Sequence, residues 1–198
     1  MGVKKLYKLI EKYAPDSIKI KKMSDYKGTK IAVDANIVLY QFMIAILNSK
    51  KEGLTNKEGY NISHYHIIFY KTISYLNNGI IPIYIFDGKP PEIKKNILIE
   101  RKNLKNKAIK QLSKTNSEEE TIKYTKRLVN ITERHIDEII ELLEYMGIPY
   151  IRSQGEADSQ CAALSLSGIV DGVASEDMDL LAFGTPILLR DFSSKKNV

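Results

Sequence analysis

Short apolar runs rich in β-branched and aromatic residues alternate with helical patterns along this 198-residue chain. The clearest run, 80–86, is apolar almost without a break, which is typical of a strand buried on both faces of a parallel sheet. Strands that alternate with helices favour an α/β fold with a mostly parallel central sheet and helices on both faces. The pattern predicts strands at 31–33, 80–86, 149–151, 169–174 and 187–189, and helices at 4–13, 37–47, 63–76, 133–146, 155–166 and 178–183.

Six carboxylates follow these apolar runs. In an open α/β sheet, ligands gather at the carboxyl ends of the strands, so four strands would bring acids to one edge. Like charges crowded there repel by several kcal/mol unless something neutralises them. Hard divalent cations do so, and all-oxygen sites suit Mg²⁺ or Mn²⁺, so we predict a metal-dependent phosphoryl-transfer site. The acids are Asp34, Asp87, Glu156, Asp158, Asp177 and Asp179.

Three of these acids have an alternative, purely structural role. An aspartate directly after a strand, such as Asp34 or Asp87, commonly makes a turn or caps the next helix. Ser153 and Glu156 match the S-x-x-E capping box, in which the glutamate satisfies a backbone N–H at the start of a helix.

The spacing within the acidic pairs predicts how each pair points. Glu156 and Asp158 lie two residues apart at a helix start and therefore point apart, so we expect one to reach a metal directly and the other to act through water or on a second ion. Asp177 and Asp179 have the same spacing, but a strand end or open turn would aim both at one edge. Their neighbour Glu176 is expected to face solvent.

The segment 89–114 is basic, with nine Lys or Arg residues and two Glu. Such a run is commonly a solvated helix face. Lys94 and Arg101, however, are seven residues apart and would share a helix face with roughly 10 Å between them, close to the acids. Arg101 could bind a phosphate bidentately and Lys94 could act as a point charge. Tyr40 would either stack on a nucleobase or lie partly buried in the core.

Composition restricts the class of protein only weakly. The formal net charge of +6 and the pI of about 9.1 are compatible with a polyanionic partner. Cys161, the only cysteine, predicts a buried inert thiol and a reducing compartment, and it excludes a thiolate zinc site. His64 and His66 do not share a helix face, so solvent or core roles are expected for them. The sequence shows no membrane-spanning run and no signal-peptide pattern.

With these residues identified, the chain resembles the N-terminal nuclease region of flap endonucleases, the structure-specific 5′ nucleases related to the excision-repair flap nuclease. The resemblance covers nearly all 198 residues, and the order and spacing of its motifs make it specific. The motifs are 31–35 (IAVDA), 40–42 (YQF), 86–91 (FDGKPP), 125–129 (TKRLV), 146–150 (MGIPY), 156–158 (EAD) and 176–179 (EDMD).

The resemblance implies a PIN-like 5′-nuclease fold in one nuclease domain, 1–198, with a basic helical arch at about 89–131. It implies that the six acids bind two Mg²⁺ ions, for which Mn²⁺ can substitute, and that Lys94 and Arg101 are the catalytic phosphate-handling residues. Tyr40 falls at the base-stacking position, and Gly2 lies near the active site in relatives. The residues implied in DNA binding are Tyr40, Lys89, Lys126, Arg127 and Gly2.

The implied function is Mg²⁺-dependent 5′ flap endonuclease and 5′–3′ exonuclease activity on DNA in replication and repair. The compartment would be the nucleus or cytoplasm. If the protein is viral, it would be the host cell or the viral factory. Alternatives are a catalytically impaired module that binds DNA junctions and a relative that cleaves RNA.

Two departures from the family pattern affect these expectations. Asp158 replaces the glutamate that is commonest in flap endonucleases, and its shorter side chain could move a metal or admit a water. The family's seventh metal-binding aspartate, its duplex-binding helical region and its sliding-clamp motif have no counterpart before Val198. We therefore expect a fragment or one part of a split protein.

Overall fold

A computed structural model describes residue 3 and residues 5–48, 54–112, 115, 117, 120–121, 124–125, 128 and 131–192. The predicted alternation of helices and strands is confirmed in these ranges. In chain order, the helices and strands are α1 (Leu6–Tyr13), β1 (Lys30–Asp34), α2 (Ala35–Asn48), α3 (Ser63–Asn77), β2 (Ile81–Phe86), α4 (Lys95–Leu112), α5 (Glu133–Tyr145), β3 (Tyr150–Arg152), α6 (Ala157–Leu166), β4 (Gly172–Ala174), α7 (Asp179–Ala182) and β5 (Leu188–Leu189). No helix within the described ranges is both long enough and apolar enough to cross a membrane.

The five strands form one sheet in the order β3-β2-β1-β4-β5, and every neighbouring pair is parallel. The central strand β1 pairs with β2 on one side, where Val33 lies opposite Tyr84, and with β4 on the other, where Val33 lies opposite Ala174. The chain builds outward from β1 to β3 and then returns to add β4 and β5. The strand order therefore reverses between β1 and β4, which is where open α/β sheets bind their ligands.

Helices cover both faces of the sheet, as the near-continuous apolar strands predict. Because side chains alternate along a strand, Ile31 and Val33 point to one face and Ala32 points to the other. Helices α2, α3 and α5 pack on the first face, and α6 and α7 pack on the second. Each fully buried aliphatic side chain contributes about 1.5–3 kcal/mol, so the two cores fix the sheet firmly beneath its carboxyl edge.

The predicted arch at about 89–131 lies only partly within the described residues. A 3-10 turn, Glu92–Lys94, leads into α4, which carries most of the basic residues of the segment. Most of 113–130 lies outside the described residues, and Lys126 and Arg127 are among those not described.

Candidate functional site

Asp34 is the last residue of β1, and α2 begins directly after it. Its side chain is only 3% exposed, and its Oδ1 accepts a hydrogen bond from the backbone N–H of Ile37 at 2.9 Å. The capping role considered as an alternative is therefore present. One carboxylate oxygen satisfies the start of α2, and this contact fixes the direction in which the carboxyl group points.

Asp87 directly follows β2 and links three elements. Its Oδ1 accepts from the backbone N–H of Ala157 at 2.8 Å, so it caps α6 and not the next helix along the chain. Its Oδ2 accepts from Nδ2 of Asn36 at 2.6 Å, while the Oδ1 of Asn36 is buried with no hydrogen-bond partner among the described residues. Asn36 was not predicted from the sequence, where the only signal was its position two residues after Asp34.

The turn after Asp87 packs tightly against the loop between β3 and α6. The backbone N–H of Gly88 donates to the carbonyl of Gly155 at 2.6 Å, and a Cβ at Gly88 would lie 1.8 Å from the carbonyl oxygen of Ser153. The Ser153 hydroxyl donates to the carbonyls of Phe86 and Gly155. The capping-box alternative is therefore wrong, because Glu156 is the N-cap residue of α6 and neither side chain caps the helix.

Glu156 forms an ion pair with Lys94, whose ammonium group donates to Oε1. Lys94 ends the 3-10 turn before α4, so it does not share one continuous α-helix with Arg101 as predicted. Arg101 lies on α4, and its side chain is outside the described residues. The basic segment therefore reaches the acidic edge directly through Lys94.

Asp158 lies in the first turn of α6 and is the least satisfied of the acids. Its Oδ1 is buried with no hydrogen-bond partner among the described residues. Burial, and then the negative charge of Asp177, raise the pKa of Asp158 to about 6. Burial also raises the pKa of Asp34 well above its usual range, and the charges of Asp158 and Asp87 add to this. The carboxyl groups of Asp34 and Asp158 lie close enough to share a proton.

Asp177 lies in the short turn after β4, and Asp179 is the first residue of α7. Oδ1 of Asp177 accepts from the backbone N–H of Asp179 at 2.9 Å, and the N–H of Asp177 donates to the hydroxyl of Ser175 at 3.2 Å. Oδ1 of Asp179 accepts from the backbone N–H of Val3 at 2.7 Å. The N-terminal segment therefore touches the acidic edge at Val3, while Gly2 itself lies outside the described residues.

The fold thus brings Asp34, Asp87, Asp158 and Asp177 within electrostatic reach of one another at the reversal of strand order. Within the described ranges, no group of three or more His, Cys, Asp or Glu side chains already has ligand geometry for a metal ion. The raised pKa values of Asp34 and Asp158, and the Oδ1 of Asp158 that has no partner among the described residues, nevertheless fit a divalent cation, which would relieve the repulsion between these carboxylates.

The remaining candidate residues lie as follows. Tyr40 is exposed on α2, so the partly buried alternative is wrong, and Lys89 is exposed after β2. Cys161 is buried, and burial raises the pKa of its thiol, as an inert cysteine requires. His64 is buried with its Nε2 2.8 Å from Oε2 of Glu138, and His66 is exposed, so both have the expected core and solvent roles.

A parallel sheet with acids at its carboxyl edge and a basic helix beside them defines the PIN-like class of nuclease folds. The chain belongs to the XPG family, because residues 1–108 match the XPG N-terminal domain and residues 147–198 match the XPG I-region. The resemblance to flap endonucleases is confirmed.

Two relatives show the extent of the similarity in sequence. Flap endonuclease 1 of Homo sapiens is 43% identical over 99% of this chain and 52% of the relative, and that of Glycine max is 46% identical over 99% and 53%. The chain therefore spans about half the length of the curated relatives it matches.

Solved structures show the same similarity in fold. Flap endonuclease-1 from Methanococcus jannaschii has a TM-score of 0.66 at 32% identity, over 88% of this chain and 56% of that one. The catalytic core of Rad2 in complex with DNA substrate has a TM-score of 0.64 at 27% identity, over 96% of this chain and 50% of that one.

Proposed function

We propose that this chain is the metal-binding nuclease region of a structure-specific 5′ nuclease that hydrolyses DNA phosphodiesters at 5′ flaps or 5′ ends during replication and repair. The observation that carries the proposal is the proximity of the Asp34 and Asp158 carboxyl groups where the strand order reverses, together with an Oδ1 of Asp158 that is buried and has no hydrogen-bond partner among the described residues. Membership of the XPG family and similarity to flap endonucleases support it.

Two Mg²⁺ ions, with Mn²⁺ as a substitute, are the cofactors that suit this set of oxygen ligands. The residues that would hold them are Asp34, Asp87, Glu156, Asp158, Asp177 and Asp179. When bound, such a pair of ions lowers the pKa of water and stabilises the leaving oxygen.

The chain's own residues fix the ligands and balance the charge of the substrate. Backbone contacts to Asp34, Asp87 and Asp179 hold these carboxylates in place before substrate arrives, so little reorganisation is needed during the reaction. Lys94 now neutralises Glu156, and with Arg101 it would offset the charge that develops on the scissile phosphate.

DNA is the proposed partner, and the Rad2 structure in complex with DNA substrate supports this class of ligand. Tyr40 is 45% exposed on α2, the helix that begins directly after Asp34, and would stack on a base of the substrate. The residues proposed to contact the DNA backbone are Lys89, Lys126, Arg127 and Gly2. Docking on a sliding clamp would require a segment outside these 198 residues. A reducing compartment, the nucleus in a eukaryotic cell, is the proposed location.

The direct test is cleavage of a labelled 5′-flap DNA by the wild type and by Asp34→Asn, each in Mg²⁺ and in EDTA. Asparagine keeps the acceptor for Ile37 but removes the charge, so folding is retained. We expect the variant to lose more than about 100-fold in cleavage rate while it retains DNA binding, since a ligand matters more than an outer-shell partner.

The matched control is Asp171→Asn. Asp171 lies at the opposite edge of the sheet, where its Oδ2 accepts from the backbone N–H of Lys30 at 2.7 Å, and asparagine preserves that bond. It should cleave like the wild type. If wild-type protein binds the flap but does not cleave it at saturating Mg²⁺, the chain is a junction-binding module. Faster cleavage of an RNA flap at equal concentration would indicate an RNA nuclease.

A further inference from the structure

Glu176 has two hydrogen-bond or ion-pair partners in the part of the chain that the structure describes, and it does not face solvent as the sequence predicted. Its Oε1 accepts from the backbone N–H of Asp191 at 2.7 Å, and its Oε2 lies 3.5 Å from Nη2 of Arg190. The side chain is 31% exposed, and both of its oxygens are in use. The Glu176 side chain, directly before Asp177 in the sequence, is thereby bound to the segment 190–191.

Arg190 continues this chain of contacts to the N-terminal segment. Its guanidinium carbon lies 5.6 Å from the centroid of the Tyr7 ring, at a distance suited to a cation–π contact. Tyr7 belongs to α1, and the same segment donates the backbone N–H of Val3 to Asp179. The N-terminal segment therefore contacts the turn of acids directly at Asp179 and, through Tyr7 and Arg190, at Glu176.

The residues after Arg190 are anchored in the core, which gives the network a fixed base. Asp191 has a left-handed backbone with φ 52°, a conformation that aspartate tolerates better than most residues. The next side chain, Phe192, is 4% exposed, stacks on Tyr75 at 5.5 Å between ring centroids and meets the edge of Tyr26 at 5.6 Å. Arg190 is therefore held close to Glu176 by the backbone on its C-terminal side.

We infer that Tyr7, Arg190 and Glu176 form a positioning network that holds Asp177 and Asp179 in place for metal binding. The inference rests on the proposed function. Arg190 is 39% exposed, and ion pairs with that degree of exposure add little to stability, so global folding does not account for the arrangement. Outer-shell partners of metal-binding carboxylates, by contrast, commonly set metal affinity and the orientation of the ligands.

The direction in which one substitution changes the affinity for Mn²⁺ distinguishes a positioning role from a purely electrostatic effect. Arg190→Gln removes a positive charge beside the acids, and electrostatics alone would therefore tighten Mn²⁺ binding. Loss of positioning would weaken it, and we expect a dissociation constant about tenfold higher, with the metal-free Tm within about 2 °C of the wild type. Mn²⁺ binding measured by electron paramagnetic resonance, together with thermal unfolding, reads out both quantities without any assay of cleavage.

The matched control is Arg152→Gln on the opposite edge strand. Arg152 is 44% exposed and pairs with Asp137 and Glu133 on α5, so its loss removes the same charge from a similar ion pair. It should leave Mn²⁺ affinity unchanged. The uncharged substitution Tyr7→Leu should weaken Mn²⁺ binding in the same direction as Arg190→Gln, though less.

The outcomes distinguish the two proposals. Unchanged or tighter Mn²⁺ binding in Arg190→Gln, while the wild type binds the ion normally, overturns the positioning network and leaves the proposed function intact. Absence of Mn²⁺ binding in the wild type overturns the metal site itself. Weaker binding in Arg152→Gln of the same size would show that the effect is not specific to the Tyr7–Arg190–Glu176 network.

Discussion

At the scale of single residues, Asp158 is the residue whose charge is most clearly disfavoured by the folded structure around it. Burial and the charge of Asp177 raise its pKa to about 6, so at pH 7 it is ionised against the preference of its surroundings. A pKa shift of this size corresponds to a destabilisation of the folded state by ~3 kcal/mol when the carboxyl is ionised. Because Asp158 is partly exposed, solvent screening reduces this cost to about 1–2 kcal/mol. We expect Asp158→Asn to raise the Tm of the metal-free protein by about 3–6 °C.

Thermal unfolding in EDTA at pH 7 measures this gain, and the same experiment in Mg²⁺ should show that the variant has lost the stabilisation that the wild type gains from the ion. Asp171→Asn, at the far edge of the sheet, should show no gain in EDTA. A lower Tm for Asp158→Asn in EDTA would contradict the account of repulsion at the acidic edge.

The acids could be predicted from the sequence because each follows a strand or helix boundary that local pattern locates. Their partners could not, since Asn36 reaches Asp87 across 51 residues and Arg190 reaches Glu176 only through the return of the chain to the sheet. The capping-box alternative at Ser153 is wrong for the same reason. The Ser153 hydroxyl is used by a neighbouring strand that the S-x-x-E pattern does not contain.

At the scale of elements, the turn after β2 and the loop before α6 meet at Gly88. A methyl group there would lie 1.8 Å from the carbonyl oxygen of Ser153, which is backbone and cannot rotate away. We expect Gly88→Ala to cost about 1–3 kcal/mol of unfolding free energy, as other overpacked sites do, and to displace the loop that carries Glu156. Denaturant unfolding measures the first effect, and loss of the Tm gain on adding Mg²⁺ measures the second.

Gly155→Ala is the matched control for this prediction. It lies in the same loop, and an added Cβ there meets no atom within 4 Å. It should change the unfolding free energy by less than about 0.5 kcal/mol and should keep the response to Mg²⁺. Equal destabilisation by both substitutions would mean that the loop resists any change and that the Gly88 contact has no special role.

The boundaries of helices and strands were predictable where the hydrophobic periodicity is strong. The prediction was wrong where the backbone of an apolar residue forms hydrogen bonds with the C-terminal turn of a helix. The run 169–174 predicts one strand, but β4 begins only at Gly172. The backbone N–H groups of Ile169 and Val170 instead donate to the carbonyl of Leu164 and satisfy the end of α6. A β-branched pair after a helix has two uses, and sequence pattern alone does not separate them.

At the scale of the whole molecule, the order of strands decides the site. The alternation of strands and helices predicts a parallel sheet, but it does not say that β1 lies between β2 and β4. That arrangement brings Asp34 beside the turn that carries Asp177 and leaves the two edge strands, β3 and β5, furthest from the reversal of strand order. Strand order depends on which faces pack together across long sequence separations, which no local pattern records.

The charges of the molecule are unevenly distributed, which the net charge alone does not show. The formal net charge is +6, yet acids are concentrated at the carboxyl edge, where burial and mutual repulsion raise the pKa values of Asp34 and Asp158. Lys94 contacts that edge from the 3-10 turn that leads directly into the basic helix α4. Under the proposed function, a polyanion attracted by the net charge would meet the acidic edge beside Lys94, where its phosphate would be bound.

The raised pKa values at the acidic edge predict that the contribution of these carboxyls to folding stability falls as pH rises. A carboxyl whose folded pKa is raised binds its proton more tightly in the fold, so its contribution to stability is greatest at low pH and falls as pH rises. For Asp158 the fall runs from about pH 4, near the unfolded value, to about pH 6, and Asp34 acts in the same direction.

Under the proposed function, Mg²⁺ competes with these protons, so the Tm gain that it produces should be small at about pH 5 and complete above about pH 7. Subtracting the pH profile of Asp158→Asn from that of the wild type isolates the effect from other carboxyls, and a difference that does not vary between pH 4 and pH 7 would contradict it.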